Sequence, residues 1–427
     1  MIETIIKRLG NKPVLILGFG REGKSTLRFL QKYAPDVPVA IADRNESAFE
    51  SIKDLDIPCF SGDDYLKLIN DYDIVIKTPG ISLWGVEVSP RVEITSQTDL
   101  FLSAFAKQTI GITGTKGKST TTSLIYHLLK SSGRKAILTG NIGIPCFDII
   151  QDIDNQSVIV YELSAHQLEF VHNSPRVGVL LNVFEEHLDH FGTFERYKQA
   201  KFNILRYMGD EDYAVIHDSL FDEALSLGVN SVVFSNLDFD DDIDWTALPL
   251  MGAHNRLNVK AALAACSEYG VDYRELIPYL YTFTPLEHRL EPVGVFGGVT
   301  FVNDSISTIP QAAISAVEAL GRVDFLLLGG FDRGIDYVPL ADYLKEKPVP
   351  YLLFTGGAGQ RMMQLVEAAN VESEKYVYAN MEQAFDYVKS KAKAGDVCLL
   401  SPAASSYDQY KNFEERGAKF KRLAREF

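Results

Sequence analysis

Gly111-Ile112-Thr113-Gly114-Thr115-Lys116-Gly117-Lys118-Ser119-Thr120 is the stretch that decides the fold. It follows a short apolar run and opens into Thr121-Thr122-Ser123-Leu124-Ile125-Tyr126-His127-Leu128-Leu129, which has a helix-like pattern. A glycine-rich turn between strand and helix points backbone N–H groups at an anion, and the helix N-terminus adds partial positive charge. In such a loop Lys118 supplies a point charge for the outer phosphates of a nucleotide, and the Ser119 hydroxyl can hold Mg²⁺. The strict P-loop carries a glycine five residues before the Gly-Lys pair. Ile112 stands there, so the generic pattern lacks one glycine.

On either side of this loop the chain alternates apolar runs with helical patterns. Upstream, Val14-Leu15-Ile16-Leu17 reads as a buried strand, Gly18-Phe19-Gly20 as a turn and Lys24 to Tyr33 as a helix. Val39-Ala40-Ile41-Ala42-Asp43 and Ile74-Val75-Ile76-Lys77 are further strands. Downstream, Ser157 to Glu162 and Val177 to Asn182 are continuous apolar runs ending in polar residues, as central parallel strands do. An alanine-rich helix is expected from about Asn258 to Tyr269. A third unit has strands at Phe325 to Gly330, Tyr351 to Gly357 and Val397 to Pro402, each ending in Gly or Ser-Pro, where open α/β sheets place ligands. This βαβ alternation predicts an α/β protein of doubly wound sheets. At about 150 residues per domain the 427 residues make three. These are a Rossmann-like N-terminal domain over 1–106, a central P-loop domain with a mostly parallel sheet over 107–286, and a Rossmann-like C-terminal domain over 287–427.

Composition excludes several classes. A formal charge of -15 argues against a broad nucleic-acid footprint, which needs clustered positive charge. Cys59, Cys146, Cys266 and Cys398 form no CxxC pair, which argues against a zinc knuckle and suits reduced thiols in a cytoplasm. No apolar run reaches the ~18 residues of a membrane span, and Met1 leads directly to Lys7-Arg8 without a signal-peptide core. A cytoplasmic, monomeric protein without membrane insertion is expected.

Three further patterns carry chemistry. Gly18-x-Gly20-x-x-Gly23 with Asp43 twenty residues on matches the dinucleotide fingerprint. Taken alone it suggests an NAD(P)-dependent oxidoreductase. A uridine nucleotide, another phosphate ligand, or simple tight strand–helix packing suits the same turn, and Thr78-Pro79-Gly80-Ile81-Ser82 could close the crevice. Glu162, at a strand end beside the phosphate loop, can hold Mg²⁺. His166, four residues on, falls where the pattern reads as loop, and is read as structural. Asn182-Val183-Phe184-Glu185-Glu186-His187-Leu188-Asp189-His190 gathers acids and histidines after a strand, a metal or substrate site in outline. Lys201 is unremarked by spacing alone.

Gly114 to Thr120, Asn141-Ile142-Gly143, Glu162 to Glu169, Asn182 to His190, Gly252 to Asn258, His288-Arg289, Asn303-Asp304-Ser305, Leu328-Gly329-Gly330 and Leu400 to Gly417 occur in one order along nearly the whole chain. Together they resemble the Mur ligase family, in its glutamate-adding type that extends UDP-N-acetylmuramoyl-L-alanine. The resemblance implies ATP and Mg²⁺ as cofactors, with that UDP-sugar and glutamate as substrates. It implies that Gly114, Thr115, Lys116, Gly117, Lys118, Ser119, Thr120, Asn255, Asn258, Arg289 and Asp304 bind ATP. Lys118, Glu162, His187 and Lys201 would be the catalytic set. Ser119, Glu162, His187 and a carbamylated Lys201 would surround the metals. The uridine substrate would lie against Gly18, Gly20, Arg21, Gly23, Asp43, Arg44, Thr78, Gly80 and Asn141. The incoming glutamate would meet Thr308, Arg333, Ser406, Tyr407 and Phe413.

The chain departs from the pattern of the D-glutamate branch at two places. Asn303-Asp304-Ser305-Ile306-Ser307-Thr308 has Ile306 where that branch has lysine, and Arg333 stands where lysine is frequent. These features resemble an L-glutamate-adding branch, so both enantiomers stay open, with D-glutamate first. Rivals of another class are the oxidoreductase above and a non-catalytic nucleotide-gated module. The latter would need a broken metal site, and Lys118, Ser119, Glu162 and His187 are all present.

Overall fold

The computed structural model describes residues 1–250 and 252–427. They build three sheets. The first orders its strands Cys59–Phe60, Val39–Ala42, Val14–Leu17, Ile74–Lys77, Glu93–Thr95, all parallel. This is the doubly wound arrangement whose strand order reverses beside the first strand, directly under the Gly18 turn. The second runs Ser231–Val233, Tyr213–Ile216, Val177–Leu180, Thr109–Thr113, Val158–Glu162, Ala136–Gly140, again parallel throughout. The third runs Glu291–Phe296, Val299–Asn303, Val397–Leu400, Phe325–Gly329, Tyr351–Thr355, Glu374–Val377, with only the first pair antiparallel. The central strands are wholly buried, which is why they read as unbroken apolar runs rather than as alternation.

The chain packs as two compact units, Met1–Leu248 with Leu257–Phe283, and Pro249–Arg256 with Thr284–Phe427. The first unit holds both the first and second sheets. One continuous core joins them, running from Ile5, Phe29 and Phe101 to Phe147, Tyr161 and Leu205. Phe29 stacks on Phe147 at 4.1 Å, and Tyr161 meets Phe101 edge-on at 5.7 Å. The second unit holds the third sheet, with a core on each face of it. Pro249–Arg256, expected in the central domain, groups with this second unit, where Gly252 lies hard against Ala319.

Two helices begin earlier than the sequence predicts. The first spans Arg21–Tyr33, because Gly20 serves as its N-cap, and the alanine-rich helix spans Ala253–Glu268. Polar motif residues in their first turns hid the helical spacing. The segment after Glu162 is a short helix, Ala165–Leu168, where the sequence reads as loop. Ser164 and Gln167 form a capping box that nucleates it. No helix among the described residues is long and apolar enough to cross a membrane.

Candidate active site

The phosphate loop sits between the strand Thr109–Thr113 and the helix Lys118–Ser131. Gly117, the helix N-cap, adopts φ 87°, and a Cβ there would come within 2.5 Å of Asn258 Oδ1. Only glycine meets both demands. Lys118 Nζ donates to the Gly114 and Thr115 carbonyls at 2.8 and 2.9 Å, so the loop curls around its own lysine. Asn182 clamps the other side. It accepts from Lys116 N at 2.8 Å, donates back to Lys116 O at 3.1 Å, and its carbonyl accepts from Thr115 N at 3.0 Å. Thr115 Oγ1 accepts from Phe184 N at 2.9 Å and lies 3.1 Å from Tyr197 OH. The loop is thereby fixed to the segment that carries His187.

Glu162 ends the neighbouring strand, in register with Ile112. It is buried, with Oε1 accepting from Asn141 Nδ2 at 2.8 Å. Its Oε2 is buried without a hydrogen-bond partner among the described residues. An orphaned buried carboxylate oxygen is costly unless a cation completes it. No group of three or more His, Cys, Asp or Glu forms a ready cage among the described residues. Mg²⁺ takes one or two protein carboxylates and fills its shell with water and phosphate oxygens. Glu162 therefore fits the metal expected of it.

Lys201 lies on the helix Phe194–Arg206, is buried, and donates to Gly114 O at 2.8 Å. Burial pushes its pKa well down and Lys118 pushes it further, while Glu186 opposes them. Lys116 pairs with Glu186 at 2.6 Å. His187 has φ 57°, a strained left-handed conformation for a non-glycine residue, and caps the short helix Leu188–Phe191. Its ring is half exposed, with its pKa lowered mainly by burial. His166 packs edge-on against both His187 and His190, with centroids 4.8 and 4.4 Å apart. Burial, then His190 and His187, hold the His166 pKa down to about 3, so this ring stays neutral near any cation.

At the first sheet, Gly18 has φ 93°, and a Cβ would lie 2.0 Å from Thr78 Oγ1. This glycine lets the Thr78 strand end close over the turn. Gly20 has open space beside it at the N-terminus of its helix. Both Asp43 carboxylate oxygens accept backbone N–H bonds, from Phe19 at 2.7 Å and Asn45 at 2.9 Å. Asp43 thus shapes the glycine turn. Arg44 is exposed and pairs with Asp63 at 3.2 Å. Arg21 Nη1 donates to Gly143 O at 2.9 Å, which brings this turn beside the Asn141 loop.

In the second unit Asp304 is buried and accepts from Leu290 N, Ser307 Oγ and Ser401 Oγ. Burial lifts its pKa to about 6. Arg289 Nε is buried without a hydrogen-bond partner among the described residues, as a group awaiting an anion would be. Arg333 is exposed and donates to Thr308 O at 3.1 Å. Ser406 is buried, Tyr407 is exposed, and Phe413 opens the last helix. Asn255 in this unit and Asn258 in the first are both buried.

In the sequence Asn182 is named only as the start of the acid and histidine cluster, and Arg416 carries no role of its own. Asn182 ends its apolar run as Glu162 ends its own, so the same strand-end argument finds it. Arg416 gives no such signal. Its buried guanidinium donates to the Ser305 and Ala404 carbonyls and Ser305 Oγ, and burial lowers its pKa to about 10.

Comparison with known proteins shows the family to which this fold belongs. The Mur ligase middle domain matches residues 112–248, and the Mur ligase glutamate ligase domain matches 288–404. The UDP-N-acetylmuramoylalanine–D-glutamate ligase of Symbiobacterium thermophilum is 33% identical, with 96% of each chain covered. The chain belongs to the Mur ligase family. A Geobacillus relative of this family, with the same name, is 33% identical over 95% of this chain and 96% of its own. Among solved Mur ligases, MurF from Acinetobacter baumannii shares the fold with a TM-score of 0.62 at 15% identity, covering 100% of this chain and 99% of its own. The Thermotoga maritima MurF, solved in complex with ADP, has a TM-score of 0.58 at 19% identity, covering 100% and 97%. The Mur ligase matches span both units of the chain.

Proposed function

We infer that this Mur ligase joins glutamate to UDP-N-acetylmuramoyl-L-alanine, converting ATP to ADP and phosphate, in cytoplasmic peptidoglycan precursor synthesis. The observation that carries the reading is Glu162, a buried carboxylate with one unpartnered oxygen beside an intact phosphate loop. That is what a kinase-like first step requires. The full-length relatives named for D-glutamate ligation supply the substrate class.

In the first step the alanyl carboxylate attacks the γ-phosphorus of ATP, giving an acyl phosphate and ADP. The glutamate amine then attacks the acyl carbon, loses a proton, and expels phosphate from the tetrahedral intermediate. The obstacle is repulsion among ATP, the UDP-sugar and glutamate. Lys118 and the N-terminus of its helix would offset charge on the outer phosphates. Asn182 and Thr115 keep the loop in shape. Glu162 would hold Mg²⁺, with His187 and a carbamylated Lys201 at a second ion; bound there, the metal neutralises phosphoryl charge. Lys201 suits carbamylation because burial lowers its pKa and so favours the free amine that adds CO₂. Asn141, bonded to Glu162, would face the reacting carboxylate.

D-glutamate is the first reading of the amino acid. Half-buried Ile306 and exposed Arg333, in place of lysines, favour L-glutamate as the second. The test is ADP release that needs both the UDP-sugar peptide and glutamate, run with each enantiomer. Nucleotide turnover independent of the UDP-sugar would overturn the reading.

A further inference from the structure

A buried chain of side chains ties the first sheet to His187. Lys77 ends the strand Ile74–Lys77, directly before the Thr78-Pro79-Gly80 turn. It is 3% exposed, and its Nζ lies 2.9 Å from Glu169 Oε2. The same Glu169 oxygen lies 3.1 Å from His190 Nε2, and Phe170 lies under the Lys77 ammonium at 5.4 Å. Ser82, from the turn after Lys77, donates to the His190 carbonyl at 2.7 Å. His190 belongs to the one-turn helix that His187 caps, and the His166 ring fills the space between the two imidazoles.

Isolated burial of an ammonium and a carboxylate is costly, and an apolar pair of the same volume would stabilise this core as well. The arrangement therefore calls for a reason other than stability. His187 supplies one. Its left-handed backbone persists only where the surroundings over-determine it, and a four-residue helix cannot do so unaided. We propose that Lys77, Glu169 and His190 form a positioning device that anchors the Leu188–Phe191 helix to the substrate-side turn and thereby holds His187 at the edge of the phosphate loop. Glu169 and Lys77 are positioning residues, acting through His190. The proposal rests on the reading of His187 as a metal-side group.

The test pairs Lys77→Met with Glu169→Gln, so that both charges of the ion pair are removed together, and uses His187→Ala as reference. Mn²⁺ binding is followed by electron paramagnetic resonance with a non-hydrolysable ATP analogue, beside kcat and the thermal midpoint. Outer partners of metal ligands contribute about tenfold or more to affinity, so the paired variant should remain folded while Mn²⁺ binding and kcat each fall about tenfold. Ser82→Ala, which removes only the bond to the His190 carbonyl, should show a smaller loss of both and keeps the test open if the paired variant misfolds. If His187→Ala loses Mn²⁺ while the paired variant and Ser82→Ala bind it as wild type does, the positioning role is wrong. If His187→Ala binds Mn²⁺ normally, the metal reading of His187 fails first, and the positioning role with it.

Discussion

Lys118 and Lys201 donate to one and the same oxygen, the Gly114 carbonyl, each at 2.8 Å. Two ammonium groups sharing an acceptor repel each other, and the deeper one yields. Lys201, buried on its helix, is the one whose pKa falls. Burial, with Lys118 close by, thus shifts Lys201 towards its neutral amine.

Lys118→Ala should abolish turnover and leave the fold intact, since Lys118 Nζ is bonded to carbonyls of its own loop, those of Gly114 and Thr115. Losing a charge aimed at the transferring phosphoryl group costs about 3 kcal/mol or more, a fall of at least about a hundredfold in kcat. Steady-state kinetics beside circular dichroism decides it, and near-normal ligation by a folded variant would refute the role.

Lys201 should carry a carbamate. Its lowered pKa keeps the amine free to lower pH than on an ordinary lysine, so the carbamate should form at lower pH than on an exposed lysine and be lost on acidification. With ¹³C-bicarbonate, a carbamate carbon resonance should appear in wild type and vanish in Lys201→Ala. Formate or acetate should restore part of the activity of Lys201→Ala by supplying the missing oxygen ligand. A spectrum without that resonance at saturating bicarbonate would rule the carbamate out.

Glutamate handedness should respond to Ile306 and Arg333. Arg333 reaches Thr308 O from an exposed position, and a guanidinium grips a carboxylate in a planar fork that lysine cannot reproduce. Ile306→Lys with Arg333→Lys should raise the D over L ratio of kcat/KM, and about 1.4 kcal/mol of differential binding makes that shift tenfold. Competition between the enantiomers measures it. An unchanged ratio in an active variant would move the determinant to Ser406, Tyr407 and Phe413.

Asp304 should make stability depend on pH. Its folded pKa of about 6 lies above the unfolded carboxylate value, so folding takes up a proton between the two. The stabilisation is complete below the unfolded pKa, about 3.9, and is lost as pH rises through about 6. A shift of this size corresponds to about 3 kcal/mol. Asp304→Asn should remove that loss, so calorimetric midpoints of variant and wild type should diverge in the variant's favour between about pH 4 and pH 6. Parallel curves would show that Asp304 titrates normally.

The phosphate loop, Glu162 and the strand-end turns were legible in the sequence because each is a local pattern. A strand, a glycine turn and a helix lie within one short stretch, and a polar residue closing an apolar run marks a strand's C-terminal end. Lys201 was not legible from spacing. Its helix reads as ordinary, and its meaning comes from the Gly114 carbonyl that another element brings to it. His166 likewise reads as structural, and only packing shows it between two other histidines.

The sequence by itself determined the α/β class, the parallel sheets and the order of chemistry along the chain, since hydrophobic runs and glycine turns act over a few residues. Tertiary structure alone decided that the first two sheets share one core, that Pro249–Arg256 groups with the second unit, and that Lys77, at a strand end of the first sheet, reaches Glu169, just past the helix Ala165–Leu168. These are contacts between residues far apart in sequence. They depend on how side chains of particular volume and charge fill a common interior, and no local spacing encodes that.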